Sequence, residues 1–81
     1  MGYEDLSVVG GWQGAQAAEF IRTLRVELLE MTSRLTWIER QRITARNARV
    51  AHAMRVEAAA LRRDIAEARV LIDRLQRRHL S

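Results

Sequence analysis

The sequence predicts an all-α protein, a long antiparallel helical hairpin that resembles a coiled coil and completes a bundle with partner helices. Two observations support this fold class. Neither glycine nor proline occurs from Ala15 to Ser81, so the two strongest helix breakers are missing from that stretch. Two runs of apolar residues within it also repeat in alternating steps of three and four, the spacing of one helix face.

The first apolar run predicts a helix over about residues 15–43, and the second a helix over about residues 47–79. Ala17 extends the first run, whereas Ala51, Ala58 and Ala68 make the second rich in small side chains. We expect the larger members to form the interface between helices: Ile21, Leu24, Leu28, Met31, Leu35, Ile38, Met54, Leu61, Ile65, Ile72 and Leu75. Two pairs at i,i+4 spacing, Glu30 with Arg34 and Asp73 with Arg77, are expected to form salt bridges.

The two runs do not share one phase, and their register slips within residues 39–50. A turn near Thr44-Ala45-Arg46-Asn47 would explain the slip and give the hairpin. One continuous helix of about 65 residues with a stutter would also explain it. The near-equal length of the halves and the capping residue Asn47 favour the hairpin, while the lack of glycine and proline favours the continuous helix.

Residues 1–14 contain all four glycines and predict a separate N-terminal arm, either an extended strap or a short turn of helix. Trp12 is the candidate anchor of this arm in a groove. The tripeptide Trp12-Gln13-Gly14 resembles the Trp-x-Gly turn of the small helical-hairpin proteins of type VII secretion, which implies a helical-hairpin partner in such a system. In that family the motif joins two long helices, whereas only eleven residues precede Trp12.

A lone hairpin would leave Phe20, Leu29, Trp37 and Leu71 exposed, because they lie off both runs. Each large apolar side chain left in water forgoes about 1.5–3 kcal/mol. The expected function is therefore a structural or interaction subunit of a homo- or hetero-oligomeric assembly, such as a phage virion component. Neither a signal peptide nor a membrane-spanning segment is recognisable, so the expected location is the cytoplasm or the virion.

Arginine supplies all fourteen basic residues, and seven of them fall within residues 40–63 beside a single acid, Glu57. The candidate contacts to an anionic partner are Arg40, Arg42, Arg46 and Arg49. An alternative function is therefore a small arginine-rich, helical regulator that binds nucleic acid. A solvated polar face, or pairing with the acidic first helix of a neighbour, would explain the same charges.

The sequence contains few residues of the types that catalyse reactions or bind metal ions. The chain has no cysteine, and His52 and His79 are far apart without acids at ligand spacing. The serines lack a nearby base, and no glycine-rich phosphate loop occurs. We therefore expect no enzyme activity, no cofactor, no metal, no small-molecule substrate and no membrane insertion.

Overall fold

The chain forms two long α-helices that pack against each other as an antiparallel hairpin. The computed structural model describes the backbone of residues 2–79 and the side chains of residues 14–79. Helix α1 is Gly2–Thr44 and helix α2 is Ala48–His79, and no strand occurs between residues 2 and 79. The predicted all-α hairpin is confirmed, and one continuous helix is excluded because residues 45–47 separate α1 from α2.

The hairpin core is a single seam made by the two predicted apolar runs. Its buried members are Ala17, Ile21, Leu24 and Ile38 from α1, and Ala58, Ile65, Ala68 and Ile72 from α2. The other members are half-buried: Leu28, Met31, Leu35, Ala51, Met54, Leu61 and Leu75. Because alanines on α2 leave room for larger side chains on α1, the two helices can approach closely along the seam.

Helix α1 begins at Gly2 and so includes residues 2–14, which belong to the segment 1–14 that the glycine content had predicted to be a separate arm. Glycine costs only about 1 kcal/mol relative to alanine inside a helix, and no proline interrupts this segment. The side chain of Trp12 lies outside the described residues, so its role as an anchor stays a prediction. With 43 residues, α1 is about 65 Å long, which matches the 67 Å long axis of the molecule.

The chain reverses direction at Ala45, Arg46 and Asn47, within the stretch where the turn was predicted. Over the described backbone no residue has a positive φ, so this turn needs no glycine. Asn47 caps α2, because its Oδ1 accepts hydrogen bonds from the backbone N–H groups of Arg49 at 2.8 Å and Val50 at 3.4 Å. The cap supplies an acceptor for the first N–H groups of α2, which have no partner within the helix.

We expect Asn47→Ala to lower the free energy of unfolding by about 1 kcal/mol, because two N–H groups of α2 lose their acceptor. Urea unfolding followed by circular dichroism measures this loss. Asn47→Asp keeps an acceptor at the same place and should retain the stability of the unsubstituted protein. Equal losses in the two variants would contradict the capping role.

Candidate interaction surface

Among the side chains of residues 14–79, nine large apolar ones remain exposed because the seam does not cover them. Their exposed fractions range from 38% for Leu71 to 84% for Ile43. The nine are Phe20, Val26, Leu29, Trp37, Ile43, Val50, Val56, Val70 and Leu71. These residues are distributed over both helices, so large apolar side chains remain in contact with solvent along the whole hairpin.

Four of these exposed side chains were predicted from the sequence, and the prediction is confirmed for Phe20, Leu29, Trp37 and Leu71. The other five, Val26, Ile43, Val50, Val56 and Val70, were not singled out. The signal was present, since each of them lies off both apolar runs.

Two salt bridges between the helices flank the seam. Arg34 Nη2 lies 3.1 Å from Glu57 Oε1, and Arg62 Nη2 lies 2.9 Å from Glu39 Oε1. Where two successive residues of an apolar run are four positions apart, three residues lie between them. The first of the three flanks one side of the seam, and the third flanks the other. Glu39 and Arg62 are the first of such three residues, whereas Arg34 and Glu57 are the third, so the two salt bridges lie on opposite edges of the hairpin.

The edge that contains the Arg34–Glu57 pair is termed the acidic edge. Residues at multiples of seven positions from Arg34 or Glu57 lie on this edge. The residue three positions from each of them, which is next to it on the outer side of the helix, is assigned to the same edge. The charged residues of the acidic edge are Glu27, Glu30, Glu57, Asp64 and Glu67, against Arg34, Arg74 and Arg78. Phe20, Trp37, Val50 and Leu71 are the exposed large apolar residues of this edge.

The edge that contains the Glu39–Arg62 pair is termed the basic edge. The same spacing assigns to it Arg22, Arg25, Arg55, Arg62 and Arg69, against Glu39 and Asp73. Its exposed large apolar residues are Leu29 and Ile43. The two long edges of the hairpin therefore carry net charges of opposite sign.

Most of the charged groups on the two edges form no salt bridge with another side chain of residues 14–79. Among the described residues, Glu27, Glu30, Asp64 and Glu67 form no salt bridge. On the basic edge the same holds for Arg25, Arg55 and Arg69 over residues 14–79. These charged groups are therefore available to a partner molecule.

The two salt bridges predicted at i,i+4 spacing have different outcomes. Asp73 and Arg77 form the predicted pair, with 3.0 Å between Oδ2 and Nη2. Arg34 does not bind Glu30. It reaches Glu57 across the seam instead, and its guanidinium lies 4.9 Å from the centroid of the Trp37 ring. The guanidinium of Arg34 thus combines a salt bridge across the seam with a cation–π contact to Trp37 on its own helix.

Two open clefts support the assignment of residues to the edges. A cleft of about 720 Å³ at the open end of the hairpin is lined by Phe20 and Thr23 of α1 and by Arg78 of α2, on the acidic edge. A smaller cleft of about 280 Å³ is lined by Ala18 and Arg25 of α1 and by Gln76 of α2, on the basic edge. Each cleft brings together residues of one edge from both helices.

The four arginines predicted to contact an anionic partner all lie at the turn. Arg40, Arg46 and Arg49 are exposed, and Arg42 is half-buried. None of the four forms a salt bridge in the part of the chain whose side chains are described. The structure thus brings the predicted group together at one end of the hairpin.

The two histidines lie at opposite ends of the hairpin, His52 near the turn and His79 beside the open-end cleft. Across the described residues, no group of three histidine, cysteine or acidic side chains is arranged to hold a metal ion. Neither α1 nor α2, as far as each is described, contains a segment apolar enough to cross a bilayer.

The Trp-x-Gly tripeptide does not lie at the turn of the hairpin. Residues 12–14 are inside α1, and the chain reverses only at residues 45–47. The structural position on which the resemblance to type VII secretion partners depends is therefore not the one observed. Comparison with protein-family models, with curated proteins and with solved structures found no match to this chain.

Proposed function

We propose that this chain is a non-enzymatic interaction subunit that packs against further helices, either of its own copies or of neighbouring subunits in an assembly. The observation that carries this proposal is the set of nine exposed large apolar side chains on a hairpin with one narrow seam. Large apolar side chains on opposite faces of a helix pair can be covered if further helices pack on both faces, as neighbouring helices cover each other in helix bundles.

The energetic argument depends on how much of each side chain is still in water. Ile43 is 84% exposed and Leu29 is 68% exposed, so the hairpin buries little of either. Burial of apolar surface contributes about 25 cal/mol per Å², and full burial of such a side chain about 1.5–3 kcal/mol. Two or three of these side chains in one contact would supply a large part of the free energy of association.

The test is the dependence of molecular mass and of thermal stability on protein concentration. We expect sedimentation equilibrium to show oligomers at micromolar concentration, and the midpoint of thermal unfolding to rise with concentration, because association stabilises the folded state. A monomer whose unfolding midpoint is the same at low and high micromolar concentration would overturn the proposal.

A phage virion is our proposed setting for the assembly. A hairpin this small, with binding surface on both edges, suits a repeated subunit, and the use of fourteen arginines and no lysine suits a genome rich in G and C. The location would then be the virion, or the cytoplasm before assembly. Mass spectrometry of purified virions tests this setting, and absence of the chain from the particles would refute it.

Binding of nucleic acid at the turn is a second candidate function, favoured by the four arginines there that have no acidic partner among the described residues. We expect Arg42→Gln, Arg46→Gln and Arg49→Gln together to make the plot of the logarithm of the DNA-binding constant against the logarithm of salt concentration less steep. The change in slope should correspond to the loss of up to about three phosphate contacts. Arg63→Gln, Arg74→Gln and Arg78→Gln remove the same charge elsewhere, at exposed arginines that form no salt bridge among the described residues, and serve as the control. Equal weakening by both triple variants would exclude a specific site at the turn.

A further inference from the structure

We infer that the partner is a second copy of this chain, docked so that the basic edge of one hairpin lies on the acidic edge of the next. The inference rests on the proposed function and adds the identity of the partner and the surface that it uses. Both edges offer apolar surface for the contact, with Phe20, Trp37 and Leu71 on the acidic edge and Leu29 and Ile43 on the basic edge.

The acidic edge carries carboxylates that have no cationic partner among the described residues. Glu27 and Asp64 each lie one heptad from the Arg34–Glu57 pair toward the open end, so the register places them at the same height on the two helices. Like charges at this place repel each other, and neither has a cationic partner within residues 14–79. Arginine from another molecule would turn this repulsion into attraction.

The basic edge supplies such arginines along the same stretch of the hairpin. Arg25 of α1 and Arg69 of α2 form no salt bridge among the described residues, and Leu29 lies about one helical turn from Arg25, toward the turn of the hairpin. The residues to be matched, Glu27 and Asp64, lie at nearly the same distance from the turn. If a second copy keeps the same orientation and is displaced perpendicular to the long axis of the hairpin, its Arg25 and Arg69 therefore lie opposite Glu27 and Asp64 of the first copy.

The signs of the charges also determine the symmetry of the contact. A two-fold dimer would place each edge on its own equivalent and bring like charges together. Contact between the basic edge and the acidic edge avoids that repulsion and leaves one edge of each end molecule open. Repetition of such a contact gives a closed ring or an extended array, in which each copy uses both edges.

Two double variants, each with one edge reversed in charge, test this arrangement. The first is Glu27→Arg with Glu67→Arg, which makes both edges basic. The second is Arg25→Glu with Arg69→Glu, which makes both edges acidic. All four positions lie outside the seam and outside the salt bridges among the described residues, so circular dichroism should show unchanged helix content.

We expect each variant alone to self-associate at least about tenfold more weakly than the unsubstituted chain in sedimentation velocity at low salt. An equimolar mixture should recover association, because basic-edged and acidic-edged hairpins can then alternate. Loss in each variant with recovery in the mixture supports the inference. The Glu27→Arg change also removes the repulsion with Asp64, so hairpin stability should not fall while association does.

Other outcomes separate this inference from the proposed function. If both variants self-associate as strongly as the unsubstituted chain, the edge-to-edge contact is overturned, while association through another surface still stands. If each variant loses association and the mixture does not recover it, head-to-tail pairing of the edges is overturned. If the unsubstituted chain is itself monomeric at micromolar concentration, both the inference and the proposed function fail.

Discussion

Ile38→Asp is expected to abolish the hairpin. Ile38 is the large side chain most completely buried among the described residues, at 1% exposure, and the register of the two salt bridges places it beside Ala58, which is 0% exposed. A carboxylate in this layer would lose its hydration without gaining a cation or a donor, which costs several kcal/mol. Small domains have only about 5–15 kcal/mol of stability, so loss of helix content by circular dichroism is the expected result.

Val26→Asp is the matched control, since it makes the same substitution on the outer face of α1, at a side chain that is 53% exposed and lies on neither edge. The helix content of this variant should be nearly unchanged, because its carboxylate stays in water. If Ile38→Asp folds as well as Val26→Asp, the seam does not lie where the structure places it.

Phe20→Ser combined with Leu71→Ser is expected to weaken self-association without unfolding the hairpin. Both side chains lie on the acidic edge, and both retain a large exposed fraction, 49% and 38%. Loss of their remaining apolar surface from the contact should cost about 2–3 kcal/mol, which raises the dissociation constant roughly 30- to 150-fold. Sedimentation equilibrium measures the change, and circular dichroism verifies that the helices persist.

The control for this variant is Val26→Ser with Val56→Ser, which changes two similarly exposed side chains, 53% and 57%, on the outer faces of α1 and α2. We expect little effect on association, because these valines lie on neither edge. A larger loss in the valine variant than in the Phe20 and Leu71 variant would move the binding surface from the acidic edge to the outer faces.

The parts of the structure that follow local rules were accessible from the sequence. Apolar residues at steps of three and four mark one face of each helix, and these positions are buried or half-buried along the seam. The change of phase within residues 39–50, with Asn47 as a cap, favoured a turn in the segment where the structure places it, at residues 45–47, although one continuous helix was also compatible with the sequence. The start of α1 was wrong because glycine was weighted as a helix breaker, although it only lowers helix propensity.

The binding surface followed only in part from the sequence. Side chains such as Leu29 and Trp37 were expected to be exposed because exposure depends on helix phase within one segment. The pairing of Arg34 with Glu57, instead of Glu30, depends on which residues of α2 lie opposite α1. That register is set by the turn and by packing along the seam, so sequence spacing within one helix could not reveal it.

Composition and periodicity alone therefore predicted two amphipathic helical stretches, their apolar faces and the segment in which their register changes, since each of these depends on interactions among near neighbours in the chain. The choice between a turn and one continuous helix, and the separation of the charges into an acidic and a basic edge, required the tertiary structure. An edge is made by both helices together, and its members, such as Glu27 and Asp64, are distant in sequence. Only the antiparallel register brings them to one side of the molecule.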